Sequence, residues 1–377
     1  MAVLCGQVVF GRAVLASCEA GYRRVSRCMS AVTTKNTESW YKTKLDVKDQ
    51  RRKPRFATKE VSILRDPGVV SLHNLTGDKL CELLTENVVY ADGPVVAINK
   101  PQGLPITGSP EGVSVSSLLP HLQHHLGIGS ELHIVKAASK ESSGLVLLST
   151  CHTTTQQFED FYAKCRKAQT PVTTYCAVTV GVPNPLEGEV KVALKVEQIG
   201  DQRLVVPVIH PTQGELERRE VKRTETRYKV LDSADGCSLV QLQPMSVFQS
   251  QLLVHMTRLL CPVLGDHTYS SRVGRVLGQY IYVPLENAVP RTQLLEEKIL
   301  RRMHFTQQQM HRMPLHLHLH QLLIPDKPDG KGSRLITAPP PPFYLRTLQL
   351  LGLTMEEKPV RNNDILCFPI AGKKPIA

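Results

Sequence analysis

Between residues 88 and 242 the apolar residues come in short runs broken by turn-forming residues, which rules out an all-helical chain. Val88-Val89-Tyr90 and Pro94-Val95-Val96-Ala97-Ile98 flank Ala91-Asp92-Gly93. Two β-branched runs around such a turn predict a hairpin. Further strands are expected at Val146–Leu148, Thr174–Val180, Arg227–Leu231 and Ser238–Leu242, and residues 188–210 are again rich in β-branched side chains. Helical spacing intervenes. Leu80, Leu83 and Leu84 repeat on one face over Gly77–Asn87, as do Phe158, Phe161, Tyr162 and Cys165 over Gln156–Ala168. Gln249–Leu260 reads as another helix, and charged, turn-prone Pro211–Lys222 as a surface loop. This mixture predicts an α+β fold with a central mixed, largely antiparallel sheet flanked by helices. No apolar run approaches the ~20 residues that span a bilayer.

At 377 residues the chain fits one large domain with extensions. Its formal net charge of +12 points to a polyanionic partner, of which nucleic acid is the commonest. Ten cysteines are scattered with no pair at C-x-x-C spacing, which argues against a zinc ribbon or a disulfide framework. Arg12, Arg23, Arg24, Arg27 and Lys35 lie among small and apolar residues, with Glu19 the one acid before position 36. That pattern fits an organellar presequence over residues 1–35, and the alternative is a disordered basic arm. Residues 36–85 follow as a basic linker and short helix. Its run Lys48-Asp49-Gln50-Arg51-Arg52-Lys53 is either a solvated charge run or an RNA contact.

Several motifs then occur in order. Asn99-Lys100-Pro101-Gln102-Gly103 follows the first hairpin. Lys140-Glu141-Ser142-Ser143-Gly144-Leu145 precedes a strand. Thr174-Tyr175-Cys176-Ala177-Val178 is a strand. Gln251-Leu252-Leu253-Val254-His255 and Leu264-Gly265-Asp266-His267-Thr268-Tyr269 come later. Leu315-His316-Leu317-His318-Leu319 and Ala338-Pro339 stand near the end. Together they resemble RluA-type RNA pseudouridine synthases across about residues 86–352, leaving a C-terminal tail at 353–377. The resemblance implies the pseudouridine synthase fold, RNA binding with base flipping, and uridine-to-pseudouridine isomerisation without cofactor or metal. With the presequence, it implies a protein of the mitochondrial matrix acting on mitochondrial mRNA or ribosomal RNA. RNA-processing or ribosome-assembly proteins are the further partners it brings to mind.

Two positions depart from the family. Where members show His-Arg-Leu-Asp, this chain has Lys136-Ala137-Ala138-Ser139, so Ser139 replaces the catalytic aspartate. Where they show Gly-Arg-Thr-His-Gln-Ile-Arg, it has Val247 to Leu253, so Leu253 replaces the arginine that pairs with that aspartate. A serine without an adjacent base supplies neither a carboxylate nor comparable nucleophilicity. The alternative reading is therefore a catalytically impaired RNA-binding protein supporting ribosomal RNA maturation or ribosome assembly. Glu141 is a candidate substitute carboxylate, since on an extended segment it would share a face with Ser139. Tyr175 keeps the active-site tyrosine. Lys100, Lys136, Gln251 and His255 are the expected RNA contacts. His316, His318 and His320 would stand roughly 6.6–6.8 Å apart on one side of a strand. That spacing permits metal ligation in principle, but no acidic or cysteine partner stands nearby, and the resemblance implies no metal.

Overall fold

The computed structural model describes residues 63–65, 75–108, 112–284, 288–326 and 332–355. The expected presequence, most of the expected basic linker and nearly all of the expected C-terminal tail lie outside these residues. The chain opens with α1 (Gly77–Glu86), the hairpin β1 (Val88–Asp92) and β2 (Val95–Lys100), then α2 (Val115–His125). Next come β3 (His133–Ala137), β4 (Ser143–Ser149), α3 (His152–Lys167) and β5 (Thr173–Val180). β6 (Glu187–Ile199), β7 (Gln202–Val208), α4 (Gln213–Glu217), β8 (Val221–Ala234) and β9 (Cys237–Pro244) form a long meander, closed by α5 (Gln251–Arg258). A small hairpin of β10 (Val273–Val276) and β11 (Gln279–Tyr282) follows, then α6 (Glu297–Arg302), β12 (Leu317–Pro325), β13 (Ser333–Thr337) and α7 (Pro342–Leu351).

Eleven strands make one sheet in the order β1-β2-β4-β12-β5-β9-β8-β6-β7, with β3 on β4 and β13 on β12. Among its pairings β4–β12 is parallel and the rest are antiparallel. The fold is thus the α+β arrangement expected from the short β-branched runs. Local chemistry sets several boundaries. Ser114 and Ser117 form a reciprocal capping box at the start of α2. Pro342 opens α7, and Gly352, at φ 73°, closes it.

Two expectations need correction. Pro211–Lys222 is not only a loop, because Thr212 and Glu215 form a capping box that starts α4. The Ala338-Pro339 segment, which the family resemblance places in a closing strand, is not a strand. β13 ends at Thr337, and the Ala338 and Pro339 carbonyls accept hydrogen bonds from His318, His320 and Asn99.

Strand alternation builds a core on each face. On one face, Val96, Ile98, Val146 and Leu148 pack under α1 and α2, and Cys176, Val178 and Leu239 pack under α6 and α7. On the other, Ala97, Leu145, Leu147 and Leu319 meet Phe158, Phe161 and Tyr162 of α3. Farther along that face Ala177, Tyr228, Val240 and Leu242 meet Leu252, Leu253, Val254 and Met256 of α5. Tyr175 packs against both of these last two clusters, so it lies where α3 and α5 part.

The three alternating histidines are buried, and a register shift in β12 falls between Leu319 and Gln321. His316 Nδ1 donates to Pro314 O, and its Nε2 lies 2.8 Å from Thr347 Oγ1. His318 Nε2 donates to Ala338 O at 3.1 Å, so its Nδ1 accepts from Ser143 Oγ at 2.9 Å. His320 Nδ1 donates to Ala338 O at 2.8 Å. These side chains serve the packing of β12 through hydrogen bonds.

Burial lowers the pKa of His255 and His316 to about 4 and of His318 to about 3. Between about pH 4 and 6.5 the unfolded chain therefore carries protons on these histidines that the folded chain lacks. Stability is present above that window and is lost as pH falls through it. Asp266 has the opposite sign, because burial lifts its carboxyl to about 6 and the folded state holds a proton the unfolded state has released. Three histidines against one carboxyl leave a net loss toward acid, about 1.4 kcal/mol per proton per pH unit. Thermal melts from pH 7 to pH 4 are expected to show a steep fall in Tm. A flat profile would mean the histidines are charged when folded.

Candidate active site

β4 is flanked on one side by β2 along its length. Its other edge is divided, with Ser143 and Gly144 pairing with β12 and Val146 to Ser149 pairing with β3. The sheet forks there, and the connection from β3 to β4 enters the fork. Gly144 permits it. Its φ is +117°, and an added Cβ would stand 2.3 Å from Leu319 O, a distance no side chain tolerates. Ser139 leads the chain into this turn, directly after Ala138, whose amide donates to Leu145 O.

The Asn-Lys-Pro-Gln-Gly motif holds the turn from the other side. Lys100 Nζ donates to Ser142 O at 2.9 Å and to Pro101 O at 3.1 Å. Gly103 N donates to Lys140 O at 2.8 Å. The lysine is only 1% exposed, and burial lowers its pKa to about 7, against which the field of Glu141 raises it.

The turn itself is bent. Ser139 Oγ lies 3.0 Å from Ser142 Oγ, and Ser142 Oγ donates back to Ser139 O at 3.3 Å. Glu141 therefore does not share an extended face with Ser139, and that expectation is corrected. Both side chains are exposed. Among the described residues, the hydrogen-bond partners of Ser139 Oγ include no histidine, lysine or carboxylate that would serve as its base.

A backbone row runs from the fork across the sheet. Gly144 pairs with Leu319, Leu319 with Tyr175, Tyr175 with Leu242, and Leu242 with Tyr228. Tyr175 is half-buried, and burial raises its pKa to about 12, so it is a neutral phenol at neutral pH. Leu253 and Phe248 belong to the α5 side of the same face, against which Tyr175 packs. Ala138, next to Ser139, shares one apolar cluster with Tyr175, and Tyr175 shares the next with Leu253, which is 114 residues from Ser139 in sequence.

Three expected RNA contacts point inward. The Lys100 ammonium is tied to two carbonyls. Gln251 Nε2 donates to Glu225 O and Thr226 Oγ1. His255 is fully buried, with Nε2 2.9 Å from Thr224 Oγ1. The places of Gln251 and His255 follow from α5 lying face-down on β8, which a single-helix motif does not reveal, and that of Lys100 from the turn that closes over the end of β2. Lys136 remains half-buried, with its Nζ 5.4 Å from the centre of the Tyr162 ring, and burial lowers its pKa.

The sequence reading missed a groove of about 820 Å³ beside α5. Lys191, Arg223 and Arg258 line it together with Glu189, Glu225 and Met245. Lys191 is paired with both glutamates, at 2.5 and 3.8 Å. Neither Arg223 nor Arg258 forms a carboxylate ion pair among the described residues. The signal was the strand pattern of 188–229, where basic residues alternate with apolar ones, but which of them face one groove depends on the β6–β8 register.

A forked mixed sheet with a tyrosine between two helices is an architecture with known counterparts. Residues 94–258 match the family described as RNA pseudouridylate synthase, a span that holds every candidate site residue above. The human mitochondrial mRNA pseudouridine synthase RPUSD3 is 46% identical over 309 residues, covering 81% of this chain and 88% of that protein. The mouse protein of the same name is 46% identical over 311 residues, covering 80% and 89%. Among solved structures, human RNA pseudouridylate synthase domain containing 4 matches with a TM-score of 0.58 at 28% identity, covering 74% of this chain and 98% of that one. The chain belongs to the RNA pseudouridylate synthase family.

Two outcomes test the site. Leu253→Arg places a guanidinium in an apolar cluster and should lower stability by about 3 kcal/mol, whereas exposed Ser139→Asp alone should change it little. Combining the two should restore part of the loss, with a coupling of roughly 0.5–3 kcal/mol in denaturant melts. Strict additivity would show that the two side chains do not meet. Lys100 gives a second readout. Between about pH 7 and 10.5 the unfolded lysine is charged and the folded one is not, so stability should rise with pH across that window. Lys100→Met should abolish the rise, and a rise that persists in the variant would assign it to another group.

Proposed function

We propose that this protein acts on mitochondrial RNA in the matrix, holding an unpaired uridine against Tyr175, and that position 139 does not supply the carboxylate of the family's isomerisation. The observation that carries this is the Ser139–Ser142 pair. Ser139 Oγ is hydrogen-bonded to another hydroxyl, with no base among its described hydrogen-bond partners, while Leu253 fills the position of the arginine that a carboxylate would need. The RNA substrate follows from the names of the relatives, which describe a mitochondrial mRNA pseudouridine synthase. The phenol of Tyr175 and the neighbouring Phe248 offer a base an aromatic surface, a mode of binding that needs no chemistry. Arg223 and Arg258 supply charge for the phosphates that flank such a base.

One observation favours a second reading, in which isomerase activity is kept. Glu141 is the carboxylate whose field acts on buried Lys100, so it is the acid nearest in effect to the turn. In that reading Glu141 supplies the carboxylate.

The deciding experiment incubates the purified protein with mitochondrial RNA and maps pseudouridine. RNA binding without new pseudouridine is the expected result. Robust pseudouridine formation that Glu141→Gln abolishes would establish the second reading instead. Binding should weaken as salt rises, because each neutralised phosphate releases counterions. Arg223→Ala should flatten the slope of log affinity against log salt by about 0.7 for a single strand. An unchanged slope would remove the groove from the RNA path.

A further inference from the structure

Outside the cleft, the strongest unexplained feature is the tip of the β10–β11 hairpin. Val276 and Gln279 are the last paired residues, so Leu277 and Gly278 alone make the turn. Both have positive φ, 48° and 84°. Glycine accepts this freely, but leucine does so only under strain, and asparagine or aspartate is the usual choice there. Leu277 is nevertheless fully exposed, and Val276, Tyr280 and Ile281 beside it are each more than 40% exposed. A bulky apolar side chain held in a strained backbone, and fully exposed among the described residues, points to a partner outside the protein.

The base of the hairpin is tied down, so the tip is presented on a firm stalk. Val283 N donates to Arg272 O at 2.7 Å, and buried Arg272 donates to Tyr282 Oη at 3.3 Å. Tyr280 Oη and Arg275 Nη1 both donate to Glu296. The guanidinium of Arg258 lies 4.7 Å from the centre of the Tyr282 ring, and Arg258 also lines the groove beside α5. One residue therefore joins the groove to the hairpin.

We propose that this tip is an RNA wedge: Leu277 inserts between bases of an RNA whose backbone runs along the Arg223–Arg258 groove. The proposal rests on the groove being an RNA path. Size and charge favour nucleic acid over protein. A leucine with a few flanking side chains is far smaller than the ~800 Å² that each partner contributes to a stable protein complex. It matches a single base step, into which proteins insert leucine, isoleucine or phenylalanine to unstack neighbours. The net charge of +12 and the groove arginines supply the accompanying phosphate attraction.

The test uses the full chain and a synthetic RNA stem-loop carrying 2-aminopurine at the loop-closing step, whose fluorescence rises on unstacking. Leu277→Asn suits the positive φ and so leaves the fold intact, which a melting temperature no lower than that of wild type checks. Wild type should raise the fluorescence on binding. Leu277→Asn should bind about tenfold more weakly, the loss of roughly one stacking contact, without the rise. Leu277→Met, which keeps apolar reach, should retain it. If wild type and Leu277→Asn bind with equal affinity and equal fluorescence, the wedge is refuted while RNA binding stands. If neither binds the RNA, the reading of the groove itself fails. If Leu277→Asn changes only self-association or the capture of a protein, the tip is a protein contact and the proposal is overturned.

Discussion

The site depends on one close approach, the contact between Gly144 and Leu319. These residues are 175 apart in sequence, yet an added Cβ at one would lie 2.3 Å from the carbonyl oxygen of the other. Because β12 comes back so late to claim the first two residues of β4, β3 must leave that edge early, and the sheet splits. The turn from 138 to 142 has nowhere to go but the split. His318 and Lys100 then fix it from either side, one through the Ser143 hydroxyl and the other through the Ser142 carbonyl. The site is thus a consequence of sheet topology rather than of any local sequence preference.

That dependence explains what the sequence revealed and what it hid. The hairpin at 88–98, the strand at 173–180 and the helix carrying Phe158, Phe161 and Tyr162 are local objects with local signals, and each falls within a few residues of its expected place. Short polar caps were harder. The Thr212–Glu215 box is a plain signal, but it sits in a charged stretch whose overall character reads as loop. The roles of Lys100, Gln251 and His255 were the least accessible. Each lies in a motif expected to face RNA, and each faces the protein, Lys100 by donating to the Ser142 carbonyl and Gln251 and His255 because their face of the helix lands on the sheet. A polar residue in a motif is as often a strut as a contact. The groove arginines, which do face outward, carry no motif.

The electrostatics of the cleft are internally consistent without a carboxylate at position 139. An arginine at 253, inside an apolar cluster, would be left uncompensated by a serine at 139, whereas an acid at exposed position 139 could stay hydrated. With Leu253 in the apolar cluster of α5, position 253 offers no cation to an acid at 139. Lys100 is the cation that the turn itself meets. Its Nζ is bonded to carbonyl oxygens, which stabilise the cation without compensating it.

Burial resolves that residual charge by lowering the lysine's pKa to about 7, so near neutral pH the site sheds a proton instead of carrying an unbalanced ion. A carboxylate placed on the same turn would work the other way. It would hold the lysine charged, as Glu141 already does in part from its exposed position. The protonation state of Lys100 is therefore a gauge of how much negative charge the turn carries. In this chain burial keeps the value low, and the turn beside the lysine carries two serines, Ser139 and Ser142, bonded to each other. The same lysine that clamps the turn also fixes how much charge the turn can bear, which makes the structural strut and the chemical character of the cleft one problem rather than two.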